Sequence, residues 1–415
     1  MAKAAPRRML VFLAAIAALF MEGALGTSSF FKDLEWEKHL KHLNRPSVKT
    51  IQSRDGDIID CVDIHKQPAF DHPRLKNHKI QMRPTTFPRE KGPKLSMASP
   101  RPTWQESGTC PGGTTTPTVA MRFAVVLAFS SSRDSNSVVE TANALVYANE
   151  GAFYGAKAQI NAWKIRVEPN EFSASKITLL SSDRPDASSI QVGWIVRFRL
   201  SHFQVPKGIF VAVKVNHHAD QVHPLLFGDD KTRLFTYWTG DGFNKTGCFN
   251  LLCPGFVQVS QDIVLGADIT PLSAYNGTQY VIDLLVYKDP NNGNWWLIYG
   301  NKHPVGYWPT SLFKNLKQAN LIEWGGEVLN AAKDGAHTST QMGSGHFPLE
   351  GLGKASYFRN ILTVDRSNTF RAPVGLVPFS DRPQCYDIRY DGSKIGRDVG
   401  YFFFYGGPGG SSNCP

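Results

Sequence analysis

The chain has 415 residues, of which 42% are hydrophobic, and its formal net charge is +10. A chain of this length and hydrophobicity buries at least one sizeable core, which excludes a disordered protein. The charge is concentrated near the N-terminus, because residues 27–101 carry fifteen Lys and Arg against nine Asp and Glu. Nucleic-acid binding needs clustered positive charge, and the long remainder is nearly neutral, so we expect no nucleic-acid partner.

The first 26 residues have the layout of a signal peptide. Three basic residues precede an apolar run at residues 9–20, and small residues follow up to Gly26. A membrane anchor is the alternative, but the run is shorter than the roughly 20 residues that span a bilayer. We therefore expect a secreted protein, extracellular or in the cell wall, with no membrane attachment after signal removal.

Residues 27–103 form a separate N-terminal region. Residues 27–82 mix charged and short apolar pieces and contain five of the twelve His, and residues 83–103 are rich in Pro and Lys. Such a stretch has little to bury and is typical of a linker that proteases cut.

The region from residue 104 to residue 415 shows short alternating segments bounded by Gly, Pro and Asn. The predicted strands include residues 158–163, 189–196, 233–239, 280–287 and 294–299. Residues 288–293 predict the turn of a hairpin between the last two. Helical periodicity is scarce, with residues 311–320 the best candidate. This pattern predicts an antiparallel all-β sandwich or barrel.

Secretion makes disulfides and glycans available. The simplest interpretation of the C-terminal cysteines is two disulfides, Cys248–Cys253 and Cys385–Cys414, with Cys61 and Cys110 left over. Zinc is the alternative, but the spacing of Cys and His does not resemble a zinc site, so we expect no metal and no cofactor. Two sequons make Asn244 and Asn276 candidate glycosylation sites.

Several common chemistries lack their motifs. Ser344 and His346 are neighbours in sequence and no Gly-x-Ser-x-Gly elbow is present, which argues against a serine hydrolase. The Gly-rich tract at residues 406–410 has no Lys, so it is not a phosphate-binding loop. Catalysis by carboxylates is the chemistry that remains. Glu323 and Glu327 lie on the same face of a strand if no bulge intervenes. Such a pair fits either a catalytic role or simple surface exposure.

Seven motifs follow one another between residues 154 and 347. They are Tyr154-Gly155-Ala156-Lys157-Ala158, Leu234-Phe235-Thr236-Tyr237-Trp238-Thr239, residues 246–258, Gly293-Asn294-Trp295-Trp296, Gly306-Tyr307-Trp308-Pro309, Trp324-Gly325-Gly326-Glu327-Val328 and Gln341-Met342-Gly343-Ser344-Gly345-His346-Phe347. In this order they resemble the plant neprosin family. Residues 60–64 and 67–73 are similar to that family's activation peptide. The resemblance implies a secreted glutamic endopeptidase zymogen, with a small mixed propeptide before a β-sandwich, that cleaves after proline at acid pH.

The resemblance also implies an active site made of two glutamates on neighbouring strands. One corresponds to Glu327, whereas the other corresponds to Gln191 in Ile190-Gln191-Val192-Gly193-Trp194. A Glu pair shares a proton, which Gln cannot do. An amide N–H still donates to an oxyanion while Glu327 acts as general base, a division similar to the Gln/Glu pair of fungal glutamic peptidases. The alternative is an inactive relative that binds cell wall or glycan.

Residues 197–222 form an atypical insertion. They carry four basic residues against Asp220 alone, and they interrupt a stretch that is continuous in the family. A retained intron is one interpretation and a surface loop the other.

Acid activation is a further hypothesis. Protonation of His39, His42, His65, His72 and His78 would add repulsion to a region already positive, so the propeptide, acting as an inhibitor, would leave the cleft. Cleavage near Pro100 and Pro102 would then give a mature N-terminus at residues 101–104. We expect a monomer whose partners are proline-containing peptides or proteins.

Overall fold

The structure is a computed structural model that describes residues 45–89, 106–116, 137–147, 152–181, 186–197, 229–242, 244, 246–300, 302–332, 336–390 and 400–414. The predicted signal peptide and residues 198–222 of the predicted insertion lie outside the described residues. So do residues 90–105, which include most of the predicted linker.

Strands are the main regular secondary structure of the described residues. In chain order the strands are β1 (Ser47–Gln52), β2 (Ile58–Asp63), β3 (Thr114–Thr115), β4 (Val138–Tyr147), β5 (Gly155–Asn161), β6 (Phe172–Leu180), β7 (Ser189–Arg197), β8 (Arg233–Thr239), β9 (Cys248–Phe249), β10 (Val257–Gln258), β11 (Val281–Lys288), β12 (Trp295–Tyr299), β13 (His303–Trp308), β14 (Leu321–Asn330), β15 (Ser356–Val364), β16 (Phe370–Arg371), β17 (Val377–Ser380), β18 (Asp387–Arg389) and β19 (Phe403–Gly406). Short 3-10 helices span Ile64–Lys66, Pro68–Asp71, Pro73–Leu75, Thr310–Leu312 and Pro348–Glu350.

Two large antiparallel sheets contain most of these strands. One has seven strands in the order β17-β4-β14-β6-β7-β8-β9. The other has nine, in the order β10-β13-β12-β11-β5-β15-β19-β18, with β16 paired to β15. Hydrogen bonds join the two sheets: the indole of Trp194 in β7 donates to the Asn161 carbonyl in β5 at 2.9 Å.

The hydrophobic core lies between the two sheets. Trp194, Trp324 and Trp238 from the seven-stranded sheet are at most 2% exposed and belong to one buried cluster with Ile160 and Leu284 from the nine-stranded sheet. Burying one Trp removes roughly 150–250 Å² from water, a gross gain of about 4–6 kcal/mol. Facing sheets around one core confirm the predicted β-sandwich.

The strand predictions agree with the structure more closely than the helix prediction does. β8 has the predicted bounds, and β11 and β12 form the predicted hairpin. The predicted helix at residues 311–320 is wrong, because only Thr310–Leu312 form a 3-10 turn there. This segment instead buries Leu312 and Leu316 and joins Phe153 by an isolated bridge at Ala319, so tertiary contacts determine its path. No helix in the described residues is long and apolar enough to cross a membrane.

A third, small sheet combines two strands of the N-terminal region with one strand that follows it. β1 pairs with β2, and β2 pairs with β3, which follows the predicted linker in sequence. A disulfide joins Cys61 in β2 to Cys110 just before β3. The disulfides predicted at Cys248–Cys253 and Cys385–Cys414 are confirmed.

The N-terminal region continues along the outer face of the nine-stranded sheet. By strand alternation, Tyr287, Trp296 and Tyr307 form a row on the face opposite the core, and all three are fully buried. The Tyr287 hydroxyl donates to the Thr86 carbonyl at 2.8 Å, and the backbone N–H of Gln81 donates to the Tyr307 hydroxyl at 3.1 Å. This part of the N-terminal region therefore covers an aromatic surface.

Candidate functional site

The predicted site residues lie on the outer face of the seven-stranded sheet. In β14, the register with β4 and β6 runs without a shift from Leu321 to Leu329, so Glu323 and Glu327 lie on one face, as predicted. Gln191 pairs with Thr178, and Thr178 pairs with Glu323, which places Gln191 on that same face. The structure thus brings the predicted amide and both carboxylates onto one surface.

The two strands that carry Gln191 and Glu327 are not neighbours, contrary to what the resemblance implied. β6 lies between β7 and β14. The β6–β7 pair is adjacent in sequence, whereas β14 joins the other side of β6 from far along the chain. A residue that bridges Gln191 and Glu327 is therefore expected on β6, the strand between them.

Lys176 in β6 is that bridging residue, and no motif in the sequence pointed to it. Its ammonium donates to Gln191 Oε1 at 2.9 Å and also donates to Glu327 Oε2. The Lys176 side chain is 6% exposed and that of Glu327 is 20% exposed. Because both acceptors bind the same ammonium, the amide and the carboxylate lie within a few ångströms of each other.

Glycines flank Lys176 on both sides. Lys176 pairs with Gly193 in β7 and with Gly325 in β14. A Cβ on Gly193 would lie 1.9 Å from the Ser175 carbonyl oxygen, and one on Gly325 would lie 2.2 Å from the Ala142 carbonyl oxygen. Side chains at these positions would collide with the backbone of the neighbouring strand, so glycine is required on either side of Lys176.

Glu323 is a second acid beside this cluster. Burial raises the pKa of Glu323 above its ordinary value; the Lys176 ammonium opposes the shift and the nearby Glu327 carboxylate adds to it. Glu323 therefore keeps its proton to higher pH than a solvated glutamate does.

An apolar wall adjoins the site on the side of Gln191. Tyr237 in β8 pairs with Gln191, and its ring lies 5.6 Å from that of Phe249. Phe249 also stacks on Phe235 at 5.2 Å. Tyr237 is half-buried, whereas its neighbour Trp238 is buried in the core.

The other candidates from the sequence do not join this site. The His346 ring contacts Glu350 at 2.9 Å rather than the hydroxyl of Ser344, which agrees with the argument against a serine hydrolase. Asn244 and Asn276 are exposed.

A buried pair, missed by the sequence analysis, ties β4 to the loop before residue 342. His337 Nε2 lies 2.7 Å from Glu140 Oε2. Although burial opposes it, the hydrogen bond to Glu140 raises the pKa of His337. The sulfurs of Cys385 and Cys414 lie close to His337 but are bonded to each other, so they offer no thiolate to a metal.

A buried ion pair attaches the N-terminal sheet to the seven-stranded sheet, which carries the candidate site. Arg233 in β8 donates to Asp57 through Nη1 at 2.8 Å and Nη2 at 2.9 Å, and the two side chains are 4% and 8% exposed. Although burial opposes it, the hydrogen bonds that Arg233 donates to Asp57 and Asp229 raise the pKa of Arg233. Burial also raises the pKa of the adjacent Asp268 to about 6.

Two family models match this β-sandwich and the region before it. Residues 218–408 match the Neprosin model, and residues 50–134 match the Neprosin activation peptide model. The chain therefore belongs to the neprosin family and carries that family's activation peptide. Family membership supports a glutamic peptidase. Gln191 and Lys176 lie in the stretch between the two matches.

Some solved structures are also similar. Scytalido-glutamic peptidase with a peptide-based transition-state analogue is 8% identical, with 65% of this chain and 98% of that chain covered and a TM-score of 0.32. The same peptidase with a transition-state analogue inhibitor is 8% identical, with the same coverage and a TM-score of 0.30. CG-16, a homodimeric agglutinin from chicken liver, is 9% identical, with 46% and 96% covered and a TM-score of 0.21.

Proposed function

We propose that the chain is a secreted glutamic endopeptidase zymogen that cleaves after proline at acid pH. Glu327 is the general base and Gln191 stabilises the oxyanion. The observation that supports these roles is the placement of Gln191 and Glu327 on one face of the seven-stranded sheet, joined through Lys176.

The proposed mechanism assigns each step of peptide hydrolysis to Glu327 or Gln191. Glu327 takes a proton from water, and the resulting hydroxide attacks the carbonyl carbon. The amide N–H of Gln191 donates to the oxygen that becomes negative, and Glu327 then returns its proton to the leaving nitrogen as the C–N bond breaks. The wall formed by Tyr237 and Phe249 supplies an apolar aromatic surface of the kind on which a proline ring packs.

Peptide cleavage by acid-treated protein tests this function. We expect quenched peptides with one proline to be cut on its carboxyl side, and matched alanine peptides to be cut at least about tenfold more slowly. Gln191→Glu restores a proton-sharing pair, so it should raise activity and shift the pH profile. Mass spectrometry of products and pH–rate profiles measure both effects. Absence of cleavage by both proteins would instead favour the inactive wall- or glycan-binding alternative, which a polysaccharide pull-down detects.

We propose that acid loosens the activation peptide partly through His78. His78 Nε2 lies 2.7 Å from the Tyr307 hydroxyl, and burial lowers the pKa of His78 below its ordinary value of about 6.5. A detached segment then binds a proton more readily than the attached one. Attachment is therefore strongest above about pH 6.5 and weakens as pH falls through the lowered pKa.

His78→Gln keeps a hydrogen-bonding group but cannot take up a proton. We expect its activation midpoint to move to lower pH, measured as the fraction of chain processed after incubation across a pH series. His65→Gln is the matched control, because His65 is exposed on the same segment. An unchanged midpoint in His78→Gln would contradict this role.

A further inference from the structure

The ammonium of Lys176 determines which end of the Gln191 amide is available. An ammonium group donates hydrogen bonds and accepts none, so the atom of Gln191 that faces it must be the carbonyl oxygen. The 2.9 Å contact between Lys176 Nζ and Gln191 Oε1 has this orientation. The NH₂ group of Gln191 consequently points away from Lys176, where a flipped amide would place its oxygen.

The same ammonium also orients Glu327. It binds Oε2 of the carboxylate, which leaves Oε1 as the oxygen outside this contact. A nearly buried lysine is costly unless it is paired, and Lys176 meets that requirement with the two acceptors on its two sides. The glycines at positions 193 and 325 keep other side chains out of its row. Lys176 is thus fixed between the groups assigned to the chemistry.

We propose that Lys176 is a positioning residue of the peptidase site. It holds the Gln191 amide with its N–H groups toward the substrate carbonyl oxygen, and it holds Glu327 with one oxygen directed to the attacking water. This inference rests on the proposed function. Without Lys176 the amide is free to flip, and a carboxamide oxygen would then face the developing oxyanion and oppose it.

Steady-state kinetics of acid-activated variants test the role. We expect Lys176→Met to lower kcat about 100-fold, as removal of one oxyanion donor does, and to change KM by less than about threefold. Lys176→Arg keeps a cationic donor and should retain more activity than Lys176→Met. Thermal unfolding confirms that each variant folds. If Lys176→Met does not fold, Lys176→Gln, which keeps an uncharged donor of similar length, takes its place.

A double-mutant cycle with Gln191→Ala separates positioning from general stability. Because Lys176 also holds Glu327, part of its effect remains in Gln191→Ala, but if it positions Gln191, adding Lys176→Met to Gln191→Ala lowers kcat less than Lys176→Met does alone. Equal effects in both backgrounds would overturn the proposal, as would a Lys176→Met variant as active as the wild type or more active. Lack of Glu327-dependent cleavage by the wild type would overturn the proposed function itself, and this inference with it.

Discussion

Glu327→Gln is expected to lower kcat/KM on a proline peptide by about 10³-fold or more. General-base catalysis contributes roughly 10²–10⁴-fold, and the substituted amide cannot take a proton from water. The Lys176 ammonium would also lose its carboxylate partner while remaining almost buried. An unpaired buried charge is unfavourable, so the Lys176 side chain would shift from its position between Gln191 and residue 327. Initial rates at several pH values, with product masses, measure the loss.

Glu323→Gln is the matched control for this change. It makes the same substitution on the same strand and the same face. Since burial raises the pKa of Glu323, this residue is closer to neutral in acid than a solvated glutamate, and a neutral amide is a mild replacement. We expect its rate to stay within about threefold of wild type. Equal losses in both variants would contradict the assignment of the base to Glu327.

Asp57→Asn is expected to weaken attachment of the activation peptide by about 3 kcal/mol. Breaking a buried ion pair by removing one partner costs about 3–5 kcal/mol. We expect the lower end of that range because Arg233 keeps its contact with Asp229. The N-terminal sheet should then open about two orders of magnitude more often at neutral pH, and proteolysis of the open form should accelerate accordingly.

Limited proteolysis at pH 7 compares this variant with Asp55→Asn. Asp55 is 22% exposed and lies 3.7 Å from Lys231, so its loss should cost at most about 1 kcal/mol. Similar cutting rates for Asp57→Asn and wild type would show that the bidentate pair does not hold the N-terminal sheet in place.

The fold was largely predictable because its strands have local signals. Alternating β-branched and aromatic residues between turn-forming residues predict β8 and the β11–β12 hairpin. The shared face of Glu323 and Glu327 follows from strand alternation alone. What pointed to Gln191 was its neighbourhood in a recognisable motif, rather than its own chemistry.

Lys176 and the strand order were less accessible to sequence reasoning. A single Lys within Phe172-Ser173-Ala174-Ser175-Lys176-Ile177-Thr178, a buried strand, signals that a partner must exist, but it does not say which. Pairing of β14 with β6 joins segments more than 140 residues apart, which no local pattern encodes. The prediction of a helix at residues 311–320 was wrong for a similar reason, because the apolar residues of this segment pack against residues that are distant in sequence.

The Cys61–Cys110 bond has a consequence for maturation. It spans residues 62–109, so one backbone cut anywhere in that interval leaves two polypeptides that still migrate together on a non-reducing gel. After cleavage at residues 101–104, the new N-terminus would therefore be detectable while the disulfide still held the cleaved N-terminal segment to the rest of the protein. Release of the N-terminal segment would require either reduction of this disulfide or a second backbone cleavage C-terminal to Cys110.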